Sequence, residues 1–190
     1  VIFDLDGTLV ESQLNFPLLR QLVNCPEGTD ILTHVANLDH AEQARAHAII
    51  EQHELDDAQQ ASWLPGAQHL VTALLDLNLP LAIVTRNSPQ AASIKVANNQ
   101  IPIDWVLTRA DGPAKPDPSV LLHVAKHWQI KPEHIMYVGD YKYDLQAANN
   151  AGMQACLYAP DGTPDYAHLA DHLVSDFEQL SQFIHQIVTN

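Results

Sequence analysis

The sequence is poor in cysteine and in basic residues, and each shortage excludes a class of protein. Its 190 residues include only Cys25 and Cys156, far apart, so reduced thiols in a cytoplasmic protein are expected, although spacing alone leaves one bridge open. Nine Lys and Arg residues face 23 Asp and Glu residues, and the resulting net charge of −14 opposes binding to nucleic acid or to anionic membranes. No apolar run approaches the roughly 20 residues that span a bilayer. We therefore expect neither nucleic-acid nor membrane partners.

The rest of the composition is that of a globular protein. Hydrophobic residues make up 46% of the chain, whose length suffices for one full core and a small inserted domain. Five short apolar runs, rich in β-branched and aromatic residues, predict strands buried on both faces of a sheet. Because the first run begins at Val1 rather than at a methionine, we expect a few residues upstream. The predicted strands are Val1–Phe3, Leu81–Val84, Trp105–Leu107, Ile135–Val138 and Ala155–Tyr158.

Helical segments with recognisable ends separate these strands. Ser88-Pro89 and Asp117-Pro118 each combine an N-cap residue with proline at the first helical position, and Gly152 stands where a glycine typically ends a helix. Strands that alternate with helices predict an α/β fold, a doubly wound, Rossmann-like parallel sheet. Such sheets bind ligands at the carboxyl ends of their strands.

One segment does not follow this alternation. Leu14–Asn24 and Thr29–Asn37 predict short helices, and Asp39 opens a longer polar helix. We expect this segment to be a small helical domain inserted into the sheet domain. The predicted division is a Rossmann-like core over 1–12 and 64–190, and a helical insert over 13–63.

Polar motifs follow four of the predicted strands. On an extended strand, residues i and i+2 point the same way, so Asp4 and Asp6 would share one side. Two carboxylates so close repel each other, and the pair calls for a bound cation or a shared proton, unless it is only a solvated turn. The motifs are Phe3-Asp4-Leu5-Asp6-Gly7-Thr8-Leu9, Thr85-Arg86-Asn87, Lys115-Pro116-Asp117-Pro118 and Gly139-Asp140-Tyr141-Lys142-Tyr143-Asp144.

The order of these motifs resembles that of the haloacid dehalogenase-like hydrolase superfamily, and in particular its phosphoglycolate phosphatase-like members with a small helical cap. The family places a helical cap over the active site, where the 13–63 insert lies. The resemblance implies that Asp4 is the nucleophile that forms an aspartyl-phosphate. It implies that Asp6 protonates the leaving oxygen and later takes a proton from water.

The resemblance also implies a Mg²⁺ site. Asp4, the backbone carbonyl of Asp6 and Asp140 would hold the ion, because Mg²⁺ prefers hard oxygen ligands. Asp144 would either bind it through water or orient Lys115.

The phosphoryl group would meet the hydroxyl of Thr85 and the charge of Lys115, with Arg86 and Asn87 beside them. Arg86, Arg109, Lys115 and Lys142 all follow predicted strand ends, so a strongly acidic chain concentrates its few cations around one site. Within the insert, Arg20 is a candidate for a carboxylate or second phosphate of the substrate.

The expected activity is hydrolysis of a small phosphorylated metabolite. Asp6 argues against a dehalogenase, because a leaving alkoxide needs a proton and a halide does not. The alternatives are a phosphomutase of the β-phosphoglucomutase type, a catalytically silent binding protein of the same fold, and a phosphate-storing receiver domain. The short insert favours an open site that accepts several phosphate esters.

The histidines do not predict a zinc site. His123 and His127 would share one helical face, as would His168 and His172, but neither pair has a third ligand at zinc spacing.

Overall fold

A computed structural model describes residues 1–189 and contains one six-stranded sheet in which every pairing is parallel. The strands are β1 Ile2–Phe3, β2 Ala82–Val84, β3 Val106–Leu107, β4 Met136–Gly139, β5 Gln154–Tyr158 and β6 His172–Val174. Their spatial order is β3-β2-β1-β4-β5-β6, so the chain leaves β1 in one direction and later returns to its other side. This reversal beside β1 is the point at which doubly wound sheets bind ligands.

Helices cover both faces of the sheet, and the alternation of side chains along each strand supplies both interfaces. Ile2 belongs to one hydrophobic cluster and Phe3 to the other, and Tyr137 and Val138 divide in the same way. This arrangement confirms the predicted α/β, doubly wound fold. The helices are α1 Phe16–Leu22, α2 Ile31–Ala36, α3 His40–Ala58, α4 Ala67–Asp76, α5 Pro89–Asn98, α6 Ser119–Trp128, α7 Lys142–Ala151 and α8 Phe177–Thr189.

The helix ends follow the predicted signals with one exception. Ser88 caps α5 by accepting a hydrogen bond from the Ala91 N–H, and Gly152 ends α7 in the left-handed conformation. The exception is α6, which begins at Ser119, with Pro118 at the capping position and no side-chain cap. The predicted proline position there was wrong by one residue, because the Asp117 carboxylate accepts from the Ser119 N–H and closes a turn before the helix.

The helices α1–α3 lie between β1 and β2 and share a hydrophobic cluster of their own. Its buried members are Leu19, Val23, Cys25, Val35, Ala46 and Ile50. The chain enters and leaves this region side by side, since Val10 and Trp63 form an antiparallel bridge and the Glu11 N–H donates to the Ser62 carbonyl over 2.8 Å. Among residues 1–189, none of the helices combines the length and apolar character that a membrane span requires.

Candidate active site

Three carboxylates meet at the carboxyl edge of the sheet, beside the reversal in strand order. Asp4 directly follows β1, Asp140 directly follows β4, and Asp144 lies in the first turn of α7. The two strands are neighbours in register, and the Asp4 N–H donates to the Val138 carbonyl over 2.8 Å. As a result, one oxygen from each carboxylate lies within 4.8 Å of the others.

Lys115 is the cation of this cluster, and it is buried. Its Nζ donates to Asp4 Oδ1 over 2.7 Å and to Asp144 Oδ1 over 2.6 Å. It also lies 2.7 Å from the hydroxyl of Tyr137, a β4 residue that sequence reasoning did not single out. Asp144 Oδ2 accepts from the Tyr141 N–H, so this carboxylate is held on both oxygens and orients the lysine.

The cluster carries more negative charge than its one lysine offsets. Burial raises the pKa of Asp4 to about 7 and that of Asp140 to about 8, and the neighbouring carboxylates act in the same direction. Burial would lower the pKa of Lys115, but the charges of Asp144 and Asp4 outweigh it, so its pKa is raised and the ammonium stays protonated. A buried all-oxygen donor set with surplus negative charge fits a hard divalent cation such as Mg²⁺.

Two glycines allow the carboxylates to approach the backbone this closely. Gly7 has φ of 72°, and a Cβ placed on it would lie 2.3 Å from Asp140 Oδ2. A Cβ on Gly139 would lie 2.4 Å from the Cβ of Asp144. Both positions therefore exclude any side chain while the aspartates hold their places.

Asp6, Asn87 and Thr85 form a second group beside the cluster. Asn87 Nδ2 donates to Asp6 Oδ2 over 2.7 Å and to Thr85 Oγ1 over 3.0 Å, and the Asn87 N–H also donates to Thr85 Oγ1. Because these contacts use the threonine oxygen as an acceptor, they leave its proton to donate elsewhere. Asn87 thus orients both neighbours.

The predicted arginines do not converge on the carboxylate cluster. Arg86 Nη2 contacts both carboxylate oxygens of Asp30, the N-cap of α2, at 2.7 and 2.8 Å. Arg109 forms an ion pair with Glu54 of α3. Arg20 donates to the carbonyls of Pro26 and Thr29, which makes it a brace within the helical insert. The sequence did not predict these contacts. Two of them join α2 or α3 to the loops after β2 and β3, far away along the chain, and the third joins α1 to the turn that follows it.

Sequence reasoning also missed Lys95, on α5. Its Nζ lies 2.5 Å from Asp6 Oδ1 and 2.7 Å from Asp57 Oδ2, and the residue is fully buried. No local signal marks this lysine, because its partners lie near the first strand and at the end of α3.

A cavity of about 670 Å³ opens beside the cluster. Gly7, Asp140 and the segments 11–13 and 158–164 line this cavity. Its volume lies in the range of roughly 300–1,000 Å³ that is typical of small-molecule sites.

The model of the family described as haloacid dehalogenase-like hydrolase matches residues 17–158. This range includes Thr85, Lys115, Asp140 and Asp144, and begins after Asp4 and Asp6. The chain belongs to this family.

The relatives of this haloacid dehalogenase-like hydrolase include proteins named as phosphatases. It is 30% identical over 179 residues to a haloacid dehalogenase-like hydrolase domain-containing protein of Arabidopsis thaliana, covering 85% of this chain and 73% of the relative. It is 29% identical over 189 residues to a phosphoglycolate phosphatase of Pseudomonas putida, covering 81% and 66%. The crystal structure of a hydrolase from Pseudomonas syringae shares the fold with a TM-score of 0.81 and 22% identity, covering 98% of this chain and 97% of the other.

Proposed function

We propose that this hydrolase is a Mg²⁺-dependent phosphatase that acts on a small phosphorylated metabolite through an aspartyl-phosphate. The observation that carries the proposal is the position of Asp4, a buried carboxylate 2.7 Å from the Lys115 ammonium. Asp6 stands two residues away on a separate set of hydrogen bonds. The proposed nucleophile and the proposed proton donor therefore have separate sets of hydrogen-bonding partners.

The first half of the reaction transfers the phosphoryl group to the protein. An Asp4 carboxylate oxygen attacks phosphorus, the bond from phosphorus to the ester oxygen breaks, and the protonated Asp6 carboxyl gives its proton to the leaving alkoxide. Lys115 and the Thr85 hydroxyl stabilise negative charge on the phosphoryl oxygens. The products are a free alcohol and phosphorylated Asp4.

The second half restores the protein. Asp6, now a carboxylate, takes a proton from a water molecule whose oxygen attacks phosphorus. The bond from phosphorus to the Asp4 oxygen breaks, and inorganic phosphate leaves with Asp6 protonated again.

Asp4, Asp140 and the backbone carbonyl of Asp6 are the proposed Mg²⁺ ligands, with Asp144 holding Lys115 beside them. When bound, the ion supplies charge neutralisation for a dianionic ester that meets a carboxylate nucleophile. The surplus negative charge of the cluster supports this assignment.

We infer a small phosphorylated metabolite as the substrate from the names of the relatives and from the cavity of about 670 Å³ beside the carboxylate cluster. Relatives are named phosphoglycolate phosphatase and, in Methanopyrus kandleri, glyceraldehyde 3-phosphate phosphatase.

We infer that 13–63 is the cap and that 1–12 with 64–190 is the catalytic core. The separate hydrophobic cluster of α1–α3 supports this division.

The test is release of inorganic phosphate from a panel of phosphoglycolate, sugar phosphates and nucleoside monophosphates with Mg²⁺. EDTA and Asp4→Asn serve as controls, since Asp4→Asn keeps the side chain's shape and removes its nucleophilic charge. We expect release from at least one ester and loss of at least about 100-fold in both controls.

Other outcomes separate the alternatives. An isomerised sugar phosphate without free phosphate identifies a mutase. A long-lived phosphoprotein after treatment with a small phosphodonor identifies a receiver-like protein. Binding of phosphate esters without turnover identifies a silent member of the family.

A further inference from the structure

Lys95 is the one charged residue among residues 1–189 that is fully buried and has no part in the proposed reaction. A buried ammonium group costs several kcal/mol unless carboxylates surround it. Lys95 meets two, Asp6 Oδ1 at 2.5 Å and Asp57 Oδ2 at 2.7 Å. Burial would lower its pKa, but these two charges outweigh burial and raise it, so the side chain is a permanent cation.

The contact with Asp6 fixes the orientation of that carboxyl group. Lys95 Nζ holds Oδ1, and Asn87 Nδ2 holds Oδ2 at 2.7 Å. With a donor on each oxygen, the group cannot rotate freely about its last side-chain bond. Proton transfer depends on the angle of approach as well as on distance, so these two contacts set the direction along which Asp6 can exchange a proton.

The contact with Asp57 ties this orientation to the helical insert. Asp57 lies in the last turn of α3, and its carboxylate also accepts from Ser12 Oγ over 3.1 Å and from the Gln13 N–H over 2.6 Å. Ser12 and Gln13 lie where the chain leaves the core for α1. Lys95 therefore joins the proposed proton donor to both the end of α3 and the segment that leads into the insert.

We propose that Lys95, itself held by Asp57 at the end of α3, is a positioning residue that keeps Asp6 in the orientation for proton transfer. This inference rests on the proposed phosphatase function.

The proposal predicts different effects on alkyl and aryl phosphate esters, because the two kinds of ester need Asp6 in different steps of the reaction. An alkyl ester needs the Asp6 proton when its alkoxide leaves, whereas 4-nitrophenolate leaves without one. Both esters need Asp6 as a base when water attacks phosphorylated Asp4. Misplacing Asp6 therefore slows both halves for an alkyl ester and only the second half for the aryl ester.

The experiment compares Lys95→Met with wild type on 4-nitrophenyl phosphate and on the best alkyl phosphate of the panel. General acid catalysis contributes about 10²–10⁴-fold, so we expect kcat/KM for the alkyl ester to fall by about 100-fold and that for the aryl ester by less than about threefold. With the aryl ester, kcat falls and stopped-flow traces show a burst of 4-nitrophenolate, one per protein, before slow phosphate release.

Two control variants separate positioning from other effects. Lys126→Met makes the same change at an exposed lysine of α6, and we expect it to leave both substrates unaffected. Arg109→Met breaks the other ion pair between α3 and the core without touching Asp6. The proposal predicts no alkyl-selective loss and no burst in Arg109→Met.

Lys95→Met leaves the buried carboxylate of Asp57 and the partly exposed carboxylate of Asp6 without their cation, and the variant can fail to fold. The double variant Lys95→Met/Asp57→Asn removes one charge of each sign and carries the same predictions. Equal loss on both esters without a burst, in an otherwise active protein, overturns the role of Lys95 alone. So does an alkyl-selective loss of the same size in Arg109→Met. If wild type hydrolyses neither ester, the proposed function itself fails.

Discussion

Lys115 shows at the scale of one residue how the cluster is held together. Its ammonium lies between Asp4 and Asp144, and all three groups are buried. Removing the cation leaves carboxylates that burial already disfavours in their charged form. The same lysine is thus part of the folding energy and of the proposed phosphoryl site.

We predict that Lys115→Met lowers the free energy of unfolding of the metal-free protein by about 3–5 kcal/mol, the usual cost of breaking a buried ion pair. At about 2–4 °C per kcal/mol for a chain of this size, Tm falls by roughly 10 °C. Thermal unfolding in EDTA measures it, with Lys126→Met as the exposed control. A shift below about 2 °C would show that the lysine contributes little net energy.

The substitution Gly139→Ala gives a second prediction about a single residue. Its φ is not positive, so Gly139→Ala tests only the contact with Asp144, whose Cβ would lie 2.4 Å away. Overpacking of this kind costs about 1–3 kcal/mol. We expect lower stability and also a loss of phosphate release, because Asp144 moves away from Lys115.

Gly152→Ala is the matched control for that variant. Gly152 has φ of 69° with open space around its Cβ position, so substitution adds backbone strain away from the cluster. A stability loss with unchanged kcat is expected there. Unchanged kcat in Gly139→Ala would show that Asp144 does not need its present position.

Whether a site residue can be predicted from the sequence depends on whether its contacts are local. The motif carrying Asp4 and Asp6 is local, so its place at a strand end follows from the sequence. Lys95 and Asp57 are 38 positions apart and meet only because α3 packs against α5. Nothing in the sequence of either helix indicates which helix it packs against.

Some secondary structure elements could be predicted from the sequence and others could not. The five predicted strands are confirmed within a residue or two of their ends. Each of them is an apolar run without an interrupting polar residue, so its position was clear from the sequence. The sixth strand, β6, was missed, because only Leu173 and Val174 of its three residues are apolar. His168 and His172 do not share a helix, since the former lies in a short 3₁₀ turn at Ala167–Leu169 and the latter in β6.

The helix α2 is joined to the loop after β2 by the ion pair between Asp30 and Arg86, and the pH dependence of this pair can be predicted. Burial would raise the pKa of Asp30, but hydrogen bonding and charge from Arg86 outweigh it and the pKa is lowered below 3.8. A carboxyl with a lowered folded-state pKa adds stability above its unfolded value, and that stability is lost as pH falls through the folded value.

Asp30→Asn keeps an N-cap oxygen for α2 and removes only the charge. We expect the variant to be less stable than wild type by a constant amount between pH 5 and 7. The difference should begin to shrink as pH falls through about 3.8, the unfolded pKa, and should vanish only below the lower pKa of the folded state. Urea unfolding at several pH values measures it. A difference that stays constant as pH falls from 5 towards the acid limit of the folded state would assign the loss to capping instead of the ion pair.

The whole molecule combines a net charge of −14 with three carboxylates in one buried cluster. Salt can stabilise such a chain by screening, which is gradual and depends on ionic strength alone. A divalent ion bound at the cluster stabilises it by mass action, and about 2.7 kcal/mol is gained at 100 times the Kd. The two effects are distinguishable because only the second depends on Asp140.

We predict that Mg²⁺ at pH 8.5 raises Tm by roughly 5–10 °C along a saturating curve, beyond NaCl of matched ionic strength. Asp140→Asn should lose this response, because it removes one proposed ligand. In EDTA the same variant should be more stable than wild type, since it relieves repulsion with Asp4 and Asp144 in a buried site. The two melting curves therefore exchange order when Mg²⁺ is added. If Asp140→Asn responds to Mg²⁺ as wild type does, the ion binds elsewhere, and the metal assignment at this cluster fails.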